Sequence, residues 1–266
     1  MTAIREKRVL ITGAGRGLGR EMVRRFAAAG AEVIATDRDE SALAETGRTV
    51  GGAVFGYPLD VTSSAAVVAA CDRIHTERGL IDILVNNAGV VFGGDFMSVP
   101  IEKHLATIEV NLVGVVNMTH AFLPDLLARP AGHVVNIASA SAVLALPWAT
   151  SYAASKWAVL GFSDSLREEL RVQGHRHMRV TTVCPSYIAT GLFEGAKPAR
   201  LTWLLQPEAV AAVVVRAVER DRNTVILPRT AQLLHSAFRG LPRQLYYRIA
   251  ALFGVSTSMI DWKGRS

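Results

Sequence analysis

Seven short apolar or β-branched runs alternate with helix-like stretches along this chain, and that alternation constrains the fold more than any other feature. The runs are Arg8 to Thr12, Glu32 to Asp37, Ala53 to Pro58, Ile81 to Asn86, His133 to Ser139, Arg179 to Pro185 and Thr224 to Leu227. Strands separated in this way by helices predict an α/β protein built on a parallel, doubly wound sheet. Runs such as Ile83-Leu84-Val85 and His133-Val134-Val135-Asn136-Ile137 are apolar without alternation, as strands covered on both faces should be. With 266 residues, half of them apolar, the chain can enclose one large core. No repeat or linker interrupts the series. A single domain over residues 1–266 is therefore expected, with a basic extension from about residue 229.

Two cysteines, Cys71 and Cys184, cannot make a disulfide framework, and Cys71 lies in an Ala/Val-rich helical pattern that suits a buried, inert thiol. A reducing compartment and a cytoplasmic location are the expectation. No apolar run reaches the ~18 residues of a membrane span, and the turn at Thr12 to Gly19 begins too early for a cleavable leader to precede it. The formal charge of +6 belongs to the C-terminus: from Arg222 to Ser266 seven Arg and Lys face the single acid Asp261, whereas residues 1–221 carry 22 of each sign. No nucleic-acid motif accompanies this charge, so nucleic acid is not an expected partner. From Pro242 to Phe253, Leu245, Ile249, Leu252 and Phe253 fall on one helix face, with Arg243, Gln244, Tyr247 and Arg248 largely on the other. Such a helix suits peripheral contact with an anionic membrane surface; a cover over its own pocket or over a neighbouring subunit is the default reading.

Ligands of doubly wound sheets bind outside the carboxyl ends of the strands. There the chain places Gly13 to Gly19, Asp37, Asp60, Asn86-Asn87-Ala88-Gly89, Ser139 and Pro185 to Thr190. The turn Thr12-Gly13-Ala14-Gly15-Arg16-Gly17-Leu18-Gly19 lets backbone approach a pyrophosphate at a helix N-terminus. Its spacing is T-G-x-x-x-G-x-G, since the common G-x-G-x-x-G would need glycine where Leu18 stands. Asp37 suits the adenosine ribose hydroxyls and repels a 2′-phosphate, favouring NAD; Arg16 and Arg38, which could hold that phosphate, keep NADP as the alternative. Tyr152 and Lys156 share a helix face four residues apart. A phenol keeps its proton until pH ~10, and a fixed cation beside it lowers that pKa, which makes the pair an acid/base candidate toward an alcohol oxygen. His175 and His177 follow Gly174 in what reads as a solvated turn, and no metal site is expected.

With the T-G-x-x-x-G-x-G turn, Asn86 to Gly89, Asn111, Ser139 and Tyr152-x-x-x-Lys156 in this order, residues 7–228 resemble the short-chain dehydrogenases/reductases. The resemblance implies a Rossmann-type fold, a nicotinamide cofactor and a catalytic group of Ser139, Tyr152, Lys156 and Asn111. By that likeness Tyr152 exchanges the proton, Ser139 holds the substrate oxygen, Lys156 tunes Tyr152 and binds the nicotinamide ribose, and Asn111 holds a water. The implied cofactor contacts are Gly13, Arg16, Gly17, Leu18, Gly19, Asp37, Arg38, Asp60, Val61, Asn87, Ala88, Gly89, Pro185, Ile188 and Thr190, with Tyr152 and Lys156. The family usually has glycine after Pro185, where this chain has Ser186; a slightly altered loop is expected. Ser139 is preferred over Ser141 because its thirteen-residue offset from Tyr152 is the family's. If the extended conformation persists, the two serines share a face.

A looser likeness, in Gly132 to Ser139, Cys184 to Thr190 and the ending from Gly254 to Arg265, is to the branch acting on retinol, 17β-hydroxysteroids and other lipophilic alcohols. Many of those relatives carry an apolar N-terminal anchor that is not seen here, so their membrane location is not carried over. Ser141, Leu144, Trp148, Tyr187, Leu192, Phe193 and Trp203 are the expected walls of a pocket for a small lipophilic alcohol or carbonyl. Two other classes stand beside this one: an NADPH-dependent reductase of small or carrier-bound carbonyls, and a cofactor-binding sensor or scaffold without turnover. The family likeness also implies a homodimer or homotetramer through helices near Glu102 to Leu127 and Ser151 to Val172. Val159, Phe162 and Leu166 either extend that stripe or face the chain's own sheet.

Overall fold

The computed structural model describes residues 2–263; Gly264 and Arg265, part of the looser likeness, lie outside them. Strands β1 (Arg8–Thr12), β2 (Glu32–Asp37), β3 (Val54–Pro58), β4 (Ile83–Asn86), β5 (His133–Ile137), β6 (Arg179–Pro185) and β7 (Thr224–Leu227) form one sheet in the order β3-β2-β1-β4-β5-β6-β7. Every neighbouring pair is parallel. The helices are α1 (Gly17–Ala28), α2 (Glu40–Val50), α3 (Ser64–Arg78), α4 (Ile101–Ile108), α5 (Gly114–Ala128), α6 (Thr150–Val172), α7 (Pro207–Glu219), α8 (Arg229–Phe238) and α9 (Arg243–Leu252). The winding reverses between β1 and β4, which opens a crevice at their carboxyl ends.

Three strands are shorter than their sequence runs. β3 starts at Val54, and β4 starts at Ile83 because the Asp82 side chain turns to the Arg8 amide, 3.0 Å away, and to Lys7 at 3.1 Å. β5 stops at Ile137. Ser139 opens a 3₁₀ turn over Ala140–Ala142, its hydroxyl accepting from the Ser141 amide at 3.2 Å, so Ser141 is placed by that turn and not by strand alternation as expected.

Successive strand residues serve opposite cores. Val9, Ile11, Val33, Ala35, Ile83 and Val85 pack with Met22 and Phe26 of α1 and with Val210 and Val214 of α7. Leu10, Ile34, Leu84 and Val134 pack on the other face with Ile74 of α3 and with Met118, Phe122 and Leu126 of α5. This two-sided burial is why the strand sequences lack a polar face. Side chains start two of the helices, Asp39 accepting from Ala42 and Ser63 from Ala66, whereas α1 has no side-chain cap. A π-helical turn, Glu109–Val113, joins α4 to α5. The resulting stretch Ile101–Ala128 is long and apolar enough to cross a membrane by length and composition alone. Its fully buried Met118, Phe122 and Leu126 face the sheet.

Candidate active site

The glycine turn leaves β1 and enters α1 with backbone too tightly packed for side chains. A Cβ on Gly19 would stand 1.9 Å from the Gly13 carbonyl, and one on Gly13, at φ +63°, 2.8 Å from Ala88 Cα. Thr12 and Asn87 fasten this turn to the end of β4: the Asn87 and Ala88 amides donate to Thr12 Oγ1 at 2.9 and 3.0 Å, and Asn87 Nδ2 donates to the Thr12 and Gly13 carbonyls at 2.9 and 3.1 Å. A Cβ on Gly17 would meet Thr190 at 3.1 Å, so the turn and the segment after β6 face each other across the crevice. The first-turn amides of α1 have no side-chain acceptor. Together with the glycine cradle they form a donor set that fits a pyrophosphate.

Asp37 holds the end of β2, Oδ2 accepting from the Gly15 amide at 2.8 Å and Oδ1 from the Asp39 amide at 3.0 Å. An ionised carboxylate has about four acceptor positions, so two stay open for hydroxyl donors. Arg16 is ion-paired with Asp39, and Arg38 is exposed. Asp60 is also exposed and accepts from the Thr62 amide and hydroxyl at 2.9 and 2.8 Å, while Val61 is buried against Gly114. Leu18 and Ile188 belong to the core, Pro185 pairs with Leu227, and a Cβ on Gly89 would stand 3.6 Å from Lys156 Nζ.

Tyr152 and Lys156 both lie on the buried face of α6. Lys156 Nζ donates to the Ile137 carbonyl at 2.9 Å and stands 5.7 Å from the centroid of the Tyr152 ring. Burial pushes the Tyr152 phenol above its ordinary range, a hydrogen bond with Ser139 drawing it partly back, and the same burial pulls the Lys156 ammonium down to about 8. The sequence reading expected Lys156 to lower the phenol's pKa. In this structure desolvation sets the direction, and the influence that draws the phenol back is the Ser139 hydrogen bond and not the Lys156 charge.

Asn111 sits inside the π-helical turn. Its Oδ1 accepts from the Val90 amide at 2.8 Å, and its Nδ2 donates to the Val90 carbonyl and to Ser155 Oγ, both at 3.0 Å. With both polar ends engaged, the side chain fastens the loop after β4 to α6 beside Lys156.

From Ser139 a largely apolar pocket runs outward, lined in part by Ser141, Leu144, Tyr187 and Phe193. Phe193 packs edge-on to Tyr152 and Tyr187 at centroid distances of 5.7 and 5.3 Å. Three expected wall residues are placed otherwise. Trp148 and Leu192 pack in the cluster that holds Tyr152, Tyr187 and Phe193, and Trp203 is 54% exposed. The pocket also takes in Ser186, Thr202, Ala231, Val255 and Ser258, with Met259 and Trp262 in the cluster behind Tyr152. Ser258 Oγ pairs with the Tyr187 hydroxyl at 2.7 Å, and Trp262 Nε1 donates to the Leu192 carbonyl at 3.1 Å. Sequence reasoning missed this C-terminal wall, although Val255, Ser258, Met259 and Trp262 recur at helical spacing.

A family model described as short chain dehydrogenase matches residues 7–200. This chain is a short-chain dehydrogenase/reductase. It spans about a third of the length of the first curated relatives that it matches. The dehydrogenase is 41% identical over 188 residues to the probable oxidoreductase EphD of Mycobacterium tuberculosis, covering 69% of this chain but only 31% of that longer protein. It is 34% identical to epidermal retinol dehydrogenase 2 of Mus musculus, covering 93% and 82% of the two chains. Against 17-beta-hydroxysteroid dehydrogenase 13 of the same organism it is 32% identical, with 83% and 73% covered. Among solved structures it superposes on a short-chain dehydrogenase/reductase from Burkholderia phymatum in complex with NAD at a TM-score of 0.80, with 29% identity and 90% and 96% covered. A Burkholderia cenocepacia short chain dehydrogenase in complex with NADP gives 0.81, with 28% identity and 93% and 99% covered.

Proposed function

We propose that this dehydrogenase interconverts a hydrophobic alcohol and its carbonyl with NAD, using Ser139, Tyr152 and Lys156 as the groups that touch the reactants and Asn111 as their fastener. The observation that carries the reading is the apolar pocket ending on Ser139, with the buried Tyr152 phenol hydrogen-bonded beside it. Apolar walls with few polar points suit a lipophilic ligand held at one oxygen. The likeness to proteins named retinol dehydrogenase and 17β-hydroxysteroid dehydrogenase supports the same substrate class.

The nicotinamide cofactor accepts or donates the hydride when bound. In the oxidation direction Ser139 Oγ hydrogen-bonds the substrate oxygen and stabilises its growing negative charge. Tyr152 takes the hydroxyl proton, and Lys156 favours the phenolate electrostatically while reaching the nicotinamide ribose. Val90, Asn111 and Ser155 keep this end of α6 fixed relative to the glycine turn. Asp37 reads the adenosine ribose and disfavours a 2′-phosphate.

The test is absorbance at the reduced-nicotinamide band with a panel of long-chain, polyisoprenoid and steroid alcohols, NAD and NADP being run in parallel. Turnover of lipophilic alcohols with preference for NAD is expected. Turnover confined to small or carrier-bound carbonyls with NADPH would replace this reading, and cofactor binding without turnover on any of them would leave a sensor.

A further inference from the structure

The substrate pocket is roofed by three segments that touch one another: the loop from Ala199 to Leu204, helix α8 and the turn after α9. Ala199, Thr202, Ala231 and Val255 line the pocket from beneath. Thr230 Oγ1 donates to the Leu201 carbonyl and the Arg200 amide to the Phe253 carbonyl, each at 2.7 Å. His235 Nδ1 meets the Tyr246 hydroxyl at 3.0 Å and joins α8 to α9.

The outer side of this roof is both apolar and basic. Leu201, Trp203, Leu233 and Leu252 are exposed by 59, 54, 69 and 76%. Arg200, Arg229, Arg239 and Arg248 are exposed among them, while Arg243 lies over Trp157. Leu245, Arg248 and Leu252 follow at steps of three and four along α9, and Arg229 and Leu233 at a step of four along α8, so each helix shows water a mixed stripe. Beyond Arg222 the only acid is Asp261, and Lys197 pairs with it. The actual outer face of α9 is therefore rotated from the one the sequence suggested: Ile249 and Phe253 are half-buried, while Leu245 and Leu252 remain outside.

Exposed large aliphatic groups favour a nonpolar partner, and a surplus of arginine favours an anionic one. A bilayer carrying anionic phospholipid offers both at the depth a half-exposed leucine reaches. A second copy of the chain would cover the leucines but oppose two basic faces. We propose that this roof docks on the surface of an anionic phospholipid bilayer. Its leucines and Trp203 enter the headgroup boundary, and its arginines meet lipid phosphates. The pocket below is then held against the phase in which apolar substrates dissolve. The inference rests on exposure and charge and does not depend on which substrate turns over.

Flotation of the full-length chain with phosphatidylcholine vesicles, with and without phosphatidylglycerol, tests it. Recovery should require phosphatidylglycerol and weaken as salt rises. The pair Leu233→Asp and Leu252→Asp, and separately the pair Arg239→Glu and Arg248→Glu, should each lower recovery by about tenfold or more. Melting temperature and turnover of a water-soluble alcohol should stay at wild-type levels, since none of the four residues lines the pocket. Absence of recovery with anionic vesicles at low salt overturns the proposal. So does a Leu233→Asp, Leu252→Asp protein that changes oligomeric state in light scattering while vesicle recovery holds, which would make the face an interface between copies. Loss of all turnover with flotation intact would count against the dehydrogenase reading alone.

Discussion

Between Tyr152 and Lys156 the dominant influence is desolvation, which keeps the phenol protonated and pulls the ammonium down to about 8. A phenol held in its acid form is ready to protonate a carbonyl oxygen, whereas oxidation of an alcohol needs the phenolate. The rate of alcohol oxidation should therefore climb as pH rises and the rate of carbonyl reduction should fall, and a flat oxidation profile would argue against Tyr152 as the base. Tyr152→Phe removes the proton carrier and little volume, so kcat should drop by about 100-fold or more with cofactor affinity nearly unchanged. Titration of cofactor binding alongside steady-state rates separates the two effects. Lys156→Met should damage both. At the other end of the crevice Asp37 anchors the turn through the Gly15 amide, besides its proposed contact with the ribose. Asp37→Ala should move the ratio of kcat/KM for NAD over NADP toward NADP, and an unchanged ratio would mean that Asp37 does not set cofactor choice; a tenfold or greater preference of the wild type for NADP would mean that Arg16 and Arg38 dominate.

Among the elements, α6 turns the proposed catalytic side chains Tyr152 and Lys156 inward and a different set outward. Val159 is fully buried against the chain's own sheet, which settles one end of the expected association stripe as core. On the outer side Val113 and Val116 of the α4–α5 stretch and Trp157 of α6 are each about two-fifths exposed. Light scattering at micromolar concentration should give a dimer or tetramer, and Val116→Asp should shift it toward monomer; a monomeric wild type would exclude these helices as an interface. The elements themselves were legible because two-sided burial writes unbroken apolar runs into the strands, and glycine at Gly13 and Gly19 is imposed by backbone contacts that no Cβ survives. The pocket was only half legible. Leu144 lies between Ser139 and Tyr152 in sequence, and Tyr187 and Phe193 follow β6 directly, but where the helical face of Val255 and Ser258 packs is decided by long-range contacts that local periodicity does not encode. α9 shows the limit, since it has apolar groups on two sides. Only tertiary contacts, Tyr246 with the Val143 carbonyl and Arg243 over Trp157, choose which side turns inward.

At the scale of the whole molecule the two ends of the sheet are built oppositely. The carboxyl ends of the strands open into the crevice, while the amino ends of β5 and β6 are closed by a polar network around His133. Its Nδ1 meets Thr2 Oγ1 at 3.2 Å and its Nε2 meets Thr181 Oγ1 at 2.8 Å. Thr2 Oγ1 lies 2.7 Å from Asp221 Oδ1 and Thr181 Oγ1 2.6 Å from the Arg222 carbonyl; each hydroxyl has one proton, so the neutral ring is satisfied when one of the two threonines turns its proton to the acceptor nitrogen of the imidazole. The N-terminal segment, two strands and the loop before β7 thus meet at one imidazole with no exposed surface. Burial pulls its pKa from 6.5 down to about 4; Asp221 opposes that shift and Arg179 adds to it. The depressed value means that the unfolded chain binds the proton more readily than the folded one. Stability from the neutral ring is complete above about pH 6.5 and is lost as pH falls through about 4. Asp221 in the same network has a lowered pKa as well, so protonation of the carboxylate and of the ring both work against the closure in acid. Denaturant unfolding followed at a series of pH values should show wild-type stability falling across this window. His133→Gln keeps a donor and an acceptor but cannot titrate, so it should be less stable at neutral pH and lose less between pH 6.5 and 4. If both proteins lose stability in parallel there, the acid sensitivity belongs to carboxylates and not to this imidazole.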